Sequence, residues 1–185
     1  FLTILYGPVE ALVIMIIGAL LVTAYLFPTA ARIADWRRMT PILIATVVCV
    51  PIGNLLLFAL EPNLIRRIIG SLIVGASILI LSGWRYSGPQ GAGASATTGA
   101  ISGLINGFVG LGGPPLVIYM LALKLSAAVQ RANALVFMAI TSVLVLGSTF
   151  VGGGVTLENS FIGVLTAPFQ IAGGWLGARL FLKLP

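Results

Sequence analysis

"NGFVGLGGPP", residues 106–115, places four glycines and two adjacent prolines inside a chain that otherwise reads as apolar helix. A membrane helix should avoid such a stretch. Glycine loosens the helix, and proline removes a backbone donor that lipid cannot replace. Unwound backbone at membrane depth is tolerated only where protein buries it or where it lines a cavity. The break therefore asks what the surrounding chain is and what the exposed backbone serves.

The surrounding chain is a membrane protein by composition. Of its 185 residues 59% are hydrophobic and 8% charged, with a mean hydropathy of +1.14. A soluble domain carries roughly 25% charged residues, so this chain cannot cover a water-facing surface. Several apolar runs reach the ~20 residues that cross a bilayer core. Runs such as "ALVIMIIGALLVTAYLF" do not alternate apolar with polar residues, which argues against a β-barrel. The fold class is an all-α polytopic membrane protein. There is no histidine and Cys49 is the single cysteine, which excludes internal disulfides and Cys/His zinc sites. The pattern calls for no cofactor and no metal, and it suggests no nucleic-acid partner.

Six membrane elements are expected, at about 9–27, 42–60, 63–83, 97–123, 127–150 and 160–184. Pro28 and the polar loop "TAARIADWRRMT" close the first, and the small-residue linker "SGPQGAGASATT" precedes the fourth. "ALVIMI" from Ala11 matches "ALVFMA" from Ala134, and "IATVVCVPIGNLLL" lines up with "LTAPFQIAGGWLGA", pairing Gly53 with Gly173. These matches predict two related repeats, 1–88 and 89–185, each built of a glycine-rich broken or re-entrant helix and about three transmembrane helices. On that reading the first glycine-rich element and the last helix are missing, and the chain is an internal piece of something longer.

Charge indicates how the broken element sits. If it spans once, Arg32, Arg37, Arg38 and Arg85 oppose Arg66, Arg67, Lys124, Arg131, Arg179 and Lys183, a split of four to six. If it is a re-entrant hairpin, the last four join the first group and the split is eight to two. The positive-inside rule favours the hairpin, which also makes the two repeats inverted. Its arms, 98–109 and 115–123, would each reach the middle of a core roughly 30 Å thick.

The first arm carries Gly99, Gly103 and Gly107 at four-residue steps, a groove for a close helix, flanked by Ser102 and Asn106. Gly110, Gly112 and Gly113 allow positive φ and let amides converge, while Pro114 and Pro115 start the second arm. With the free amides from Leu116 onward, this makes a helix N-terminus suited to a small anion held without a full countercharge.

"TTGAISGLINGFVGLGGPPLVIYMLAL", with "QRANALVFM" and "GGWLGARL", resembles the TauE/SafE family of sulfite and organosulfonate exporters, over essentially the whole chain. The resemblance implies a secondary transporter of a small anion in a bacterial inner membrane. It carries the family motif onto Gly103, Asn106, Gly107, Gly110, Gly112, Gly113, Pro114 and Pro115, and onto Arg131 and Asn133. The candidate substrate-binding set is thus Ser102, Asn106, Gly110, Gly112, Gly113, Pro114, Pro115, Leu116, Arg131 and Asn133. Arg131 can pair with a sulfonate or anchor the topology, and Asn133 can bind substrate or a neighbouring helix. Glu10 can couple protons or complement a helix dipole. Asn54 and Gln170 can line a cavity or bridge helices, and Asp35 reads as part of a solvated loop.

The expected partners are a small anion (sulfite, a sulfonate or a related species) and the lipid bilayer; self-association stays open. An intramembrane enzyme lacks the acid–base or metal groups it would need. The alternative is an accessory subunit packing through its glycine groove, and an anion channel would use the same dipoles.

Overall fold

The computed structural model describes residues 6–82, 88, 90–123 and 125–181, with the side chains of residues 80 and 174–181 left aside. The described residues form seven helices: α1 Pro8–Ile33, α2 Trp36–Ala59, α3 Pro62–Leu81, α4 Ala92–Val109, α5 Gly113–Ala122, α6 Ala127–Val151 and α7 Leu157–Phe181. Stretches of α1, α2, α3 and α6 are long and apolar enough to cross a membrane. The 10-residue α5 is apolar but far too short.

Two boundaries differ from the sequence reading. α1 does not stop at Pro28 but continues to Ile33, and α2 begins at Trp36 with Pro41 and Pro51 inside it. The polar stretch read as a loop is mostly two helix ends. Only Ala34 and Asp35 separate them, and Asp35 caps α2 by accepting the Arg38 amide at 3.3 Å. A proline removes one bond and kinks a helix, and neighbouring helices can carry the cost. Similarly, α4 starts at Ala92, inside the stretch read as linker. Alanine is the strongest helix former, and the small residues place Ser95 against Tyr119 of α5, hydroxyl to hydroxyl at 2.8 Å.

Side-chain contacts fix the directions. Asp35 donates its backbone N–H to Asn133 Oδ1 at 2.9 Å, so α2 and α6 start at one end of the bundle, here the near end. Asn54 near the end of α2 donates to Thr149 Oγ1 near the end of α6 at 2.8 Å, which marks the far end. α1 and α7 run from far to near side by side: Gly163 faces Ile17, and Gly18 lies under Gln170.

Two cores result. The near core joins Met39 and Ile42 of α2 with Leu116 and Met120 of α5 and Val136 and Phe137 of α6. The far core joins Leu12, Val50, Leu57, Ile65, Phe108 and Val145. The α4–α5 break falls between them, with Phe108 before it in the far core and Leu116 after it in the near core.

Candidate functional site

The glycines of α4 make the seam that holds the broken element. A Cβ on Gly99 would collide with the Ile42 carbonyl, one on Gly103 would lie 3.0 Å from Thr46 Cα, and one on Gly107 would collide with the Val50 carbonyl. Ile42, Thr46 and Val50 are themselves four apart, so two matching faces meet over two turns. Gly53 of α2 answers from the other side, against the Leu104 carbonyl. The groove is therefore filled by α2 of the same chain, so it is not open to a partner subunit. Thr46 Oγ1 also donates to the Gly99 carbonyl at 3.1 Å, and Asn54 Nδ2 reaches the Gly107 carbonyl at 3.4 Å.

α4 thus runs parallel to α2, from near to far. α5 returns antiparallel: Gly112 lies against the Ser102 carbonyl, Tyr119 against Ser95, and the Ala122 carbonyl accepts from Gln90 Nε2 at 3.0 Å. Both outer ends of the pair lie at the near end of the bundle, so the broken element is a hairpin. Its arms are unequal, 18 and 10 residues instead of two half-lengths. The turn consequently lies past the middle of α2, where Gly53 faces α4.

The turn itself is built by Asn106 and glycine. Gly110, at φ 74°, caps α4 in the left-handed region, and its amide donates to the Asn106 carbonyl at 2.8 Å. Asn106 Oδ1 then accepts the Gly112 amide at 3.1 Å, bridging the gap to α5. Gly112 and Gly113 do not adopt positive φ; among the glycines of the break Gly110 alone does. Gly112 is required by close approach, since a Cβ there would also lie 2.5 Å from Asn106 Cβ. Gly113 faces open space.

α5 begins without a side-chain cap, whereas Asp35 caps α2 and Ser126 caps α6. Gly112 gives its amide to Asn106, and Pro114 and Pro115 carry no amide hydrogen, so in the first turn of α5 Gly113 holds the one amide with no carbonyl of its own helix to reach. Ser102, one turn before Asn106 on the same face of α4, has its carbonyl against Gly112. Ser102 is 0% exposed, and its Oγ has no hydrogen-bond partner. A buried hydroxyl left unpaired costs roughly 1–3 kcal/mol, so a group placed at this point in the fold calls for an explanation. The outer side of the hairpin is different. There a cavity of about 620 Å³ opens toward α3, lined mainly by hydrocarbon from residues such as Ile101, Leu111, Pro114 and Ile118.

Not every expected site residue gathers at the break. Ser102, Asn106, Gly110, Gly112, Gly113, Pro114, Pro115 and Leu116 do. Asn133 is fully buried toward the near end, where it accepts the Asp35 amide and points Nδ2 at Met120 Sδ, 3.7 Å away. Arg131 is exposed one turn into α6. Asp35, read as solvated, is thus tied to two helices. Glu10 is exposed in the first turn of α1 with its carboxylate near Gly7; two residues on, Leu12 packs against Gly110. Sequence reasoning left open the role of Asn54, which bridges α2, α4 and α6. A lone Asn in an apolar run was the available signal.

Comparison with curated proteins and comparison with solved structures each give no match. A family model described as "Sulfite exporter TauE/SafE" matches residues 1–185. With its long apolar helices, its glycine-proline hairpin and that match over the whole chain, this protein belongs to the TauE/SafE sulfite exporter family of membrane transporters.

Proposed function

We propose that the protein carries a small oxyanion, sulfite or an organosulfonate, outward across a bacterial inner membrane, binding it deep in the bundle at the N-terminus of α5. One observation carries this reading. The Ser102 hydroxyl is fully buried and unpartnered on the stretch of α4 that packs against Gly112, at the start of α5. An oxyanion there accepts from the Ser102 hydroxyl and the Gly113 amide and sits at the positive end of the α5 dipole. Asn106 and Gly110 hold the turn open, Gly112 lets the arms touch, and the prolines fix the start of α5. Arg131 stands at the hairpin's mouth, where it can meet an arriving anion. The matched stretches in α1 and α6 run in opposite directions, which supports two inverted repeats, 1–88 and 89–185, and a hairpin that enters and leaves on one side.

The test is flux of labelled sulfite and sulfoacetate in proteoliposomes, with and without a pH gradient, for the protein and for Gly113→Leu. A Cβ on Gly113 meets no neighbour, so Leu adds bulk at the start of α5 without a backbone collision. Saturable flux that disappears in the folded variant is the expected result. Full flux in Gly113→Leu would remove the break as the binding site.

A further inference from the structure

Resting on that reading, we infer that Asn54 is a positioning residue for the anion: it ties up a carbonyl in the last turn of α4, the turn that ends where the anion binds, and so lets that turn tolerate a negative charge. α4 brings a difficulty to the break. Its last carbonyls have no amide of their own helix to accept, and together they carry roughly half a negative charge. α4 stops at Val109 and α5 starts at Gly113, so this negative end and the positive end of α5 meet at one turn. An anion drawn by the second is repelled by the first.

The chain answers with donors. The Gly110 amide takes the Asn106 carbonyl at 2.8 Å, within the left-handed cap. The Gly107 carbonyl receives a side chain from another helix, Asn54 Nδ2 at 3.4 Å. The same nitrogen holds Thr149 Oγ1 at 2.8 Å, so its two hydrogens go to two helices, α4 and α6. Asn54 is 2% exposed and Thr149 0%, so both bonds lie away from water, where a partial charge is felt most strongly. Gly53, just before Asn54, lies against the Leu104 carbonyl, about one turn before Gly107, and that contact sets the register at which the amide meets α4. An amide serves both acceptors and adds no net charge, whereas a hydroxyl has one hydrogen to give.

The experiment is labelled sulfite flux in proteoliposomes, read as KM relative to the parent protein at the same pH, so that the titration of sulfite itself cancels. Asn54→Leu loses both hydrogens and leaves the Gly107 carbonyl unpaired at the turn that holds the anion. Its KM is expected to rise roughly tenfold. Asn54→Asp keeps the shape and puts an acceptor where the donor was. Its KM ratio is expected to exceed that of Asn54→Leu at alkaline pH and to fall as the pH is lowered and the introduced carboxyl regains a proton to donate. Should Asn54→Leu not fold, Asn54→Asp carries the test alone. A parental KM in Asn54→Leu, with only Vmax or the amount of folded protein reduced, overturns the positioning role, and so does an Asn54→Asp ratio that stays flat with pH. Absence of saturable sulfite flux in the parent protein overturns the carrier reading instead.

Discussion

At Ser102 the chain buries a hydroxyl that it could have used elsewhere. Thr23, Thr46, Thr141 and Ser142 sit in comparable apolar surroundings, and each returns its hydroxyl to a backbone carbonyl of its own helix, at 2.8, 2.8, 2.8 and 2.7 Å. Ser102 does not. The consequence separates stability from transport. Ser102→Ala removes an unpaired buried group, so thermal denaturation in detergent should show stability unchanged or raised by about 1 kcal/mol. If Ser102 binds substrate as proposed, the same variant loses a hydrogen bond to a charged ligand, so KM for sulfite should rise roughly tenfold with little change in the amount of folded protein. A purely structural serine would show neither a raised KM nor retained stability together. The presence of Ser102 near the break could be read from its four-residue spacing to Asn106. Its lack of a partner could not, because the i−4 carbonyl is open to any helical serine and only packing decides whether it is used.

At the scale of elements, the hairpin divides its glycines into those that touch backbone and those that do not. Gly107→Ala forces a methyl against the Val50 carbonyl and should cost about 1–3 kcal/mol or more, read as a lowered melting temperature in detergent. Gly113→Ala meets nothing and should melt no lower than the parent protein. The regular spacing of Gly99, Gly103 and Gly107 made the groove legible in the sequence. Which helix fills it was not, since Ile42, Thr46 and Val50 are unremarkable members of an apolar run. The unequal arms escaped for a related reason: "AGASATT" has the composition of a linker, and it becomes helix because α5 and the near core lie beside it. Pro28 misled in the same way, a helix breaker by local rule that tertiary packing carries along.

For the whole molecule, charge sorts the two ends. Arg32, Arg37, Arg38 and Arg131 gather at the near end with Asp35, while Arg66 and Arg67 share the far end with Glu10, Glu61 and Glu158. On the proposed re-entrant reading, the positive-inside rule places the near end, and with it both outer ends of the hairpin, on the cytoplasmic side. Single cysteines at Gln90 and Ala127, which flank the hairpin, should therefore react with a membrane-impermeant thiol reagent from the cytoplasmic face in a Cys49→Ala background. Cysteines at Asn63 and Glu158 should react from the opposite face. Opposite labelling of the Gln90 and Ala127 positions would mean that the broken element crosses the membrane once.

The seam between α2 and α4 also constrains how the protein can change over generations. At Gly53, Gly99 and Gly107 the atoms across the contact are main-chain carbonyls. No substitution makes a carbonyl smaller, so an added methyl at these three positions has no compensating allele on the facing helix. Gly103 differs in degree, because its Cβ would lie 3.0 Å from Thr46 Cα and 3.3 Å from both Cγ2 and the carbonyl, tight contacts where the others collide. Along this seam alanine would gain a foothold at Gly103 first, and a hunt for second-site revertants would come back empty-handed for its neighbours on either side.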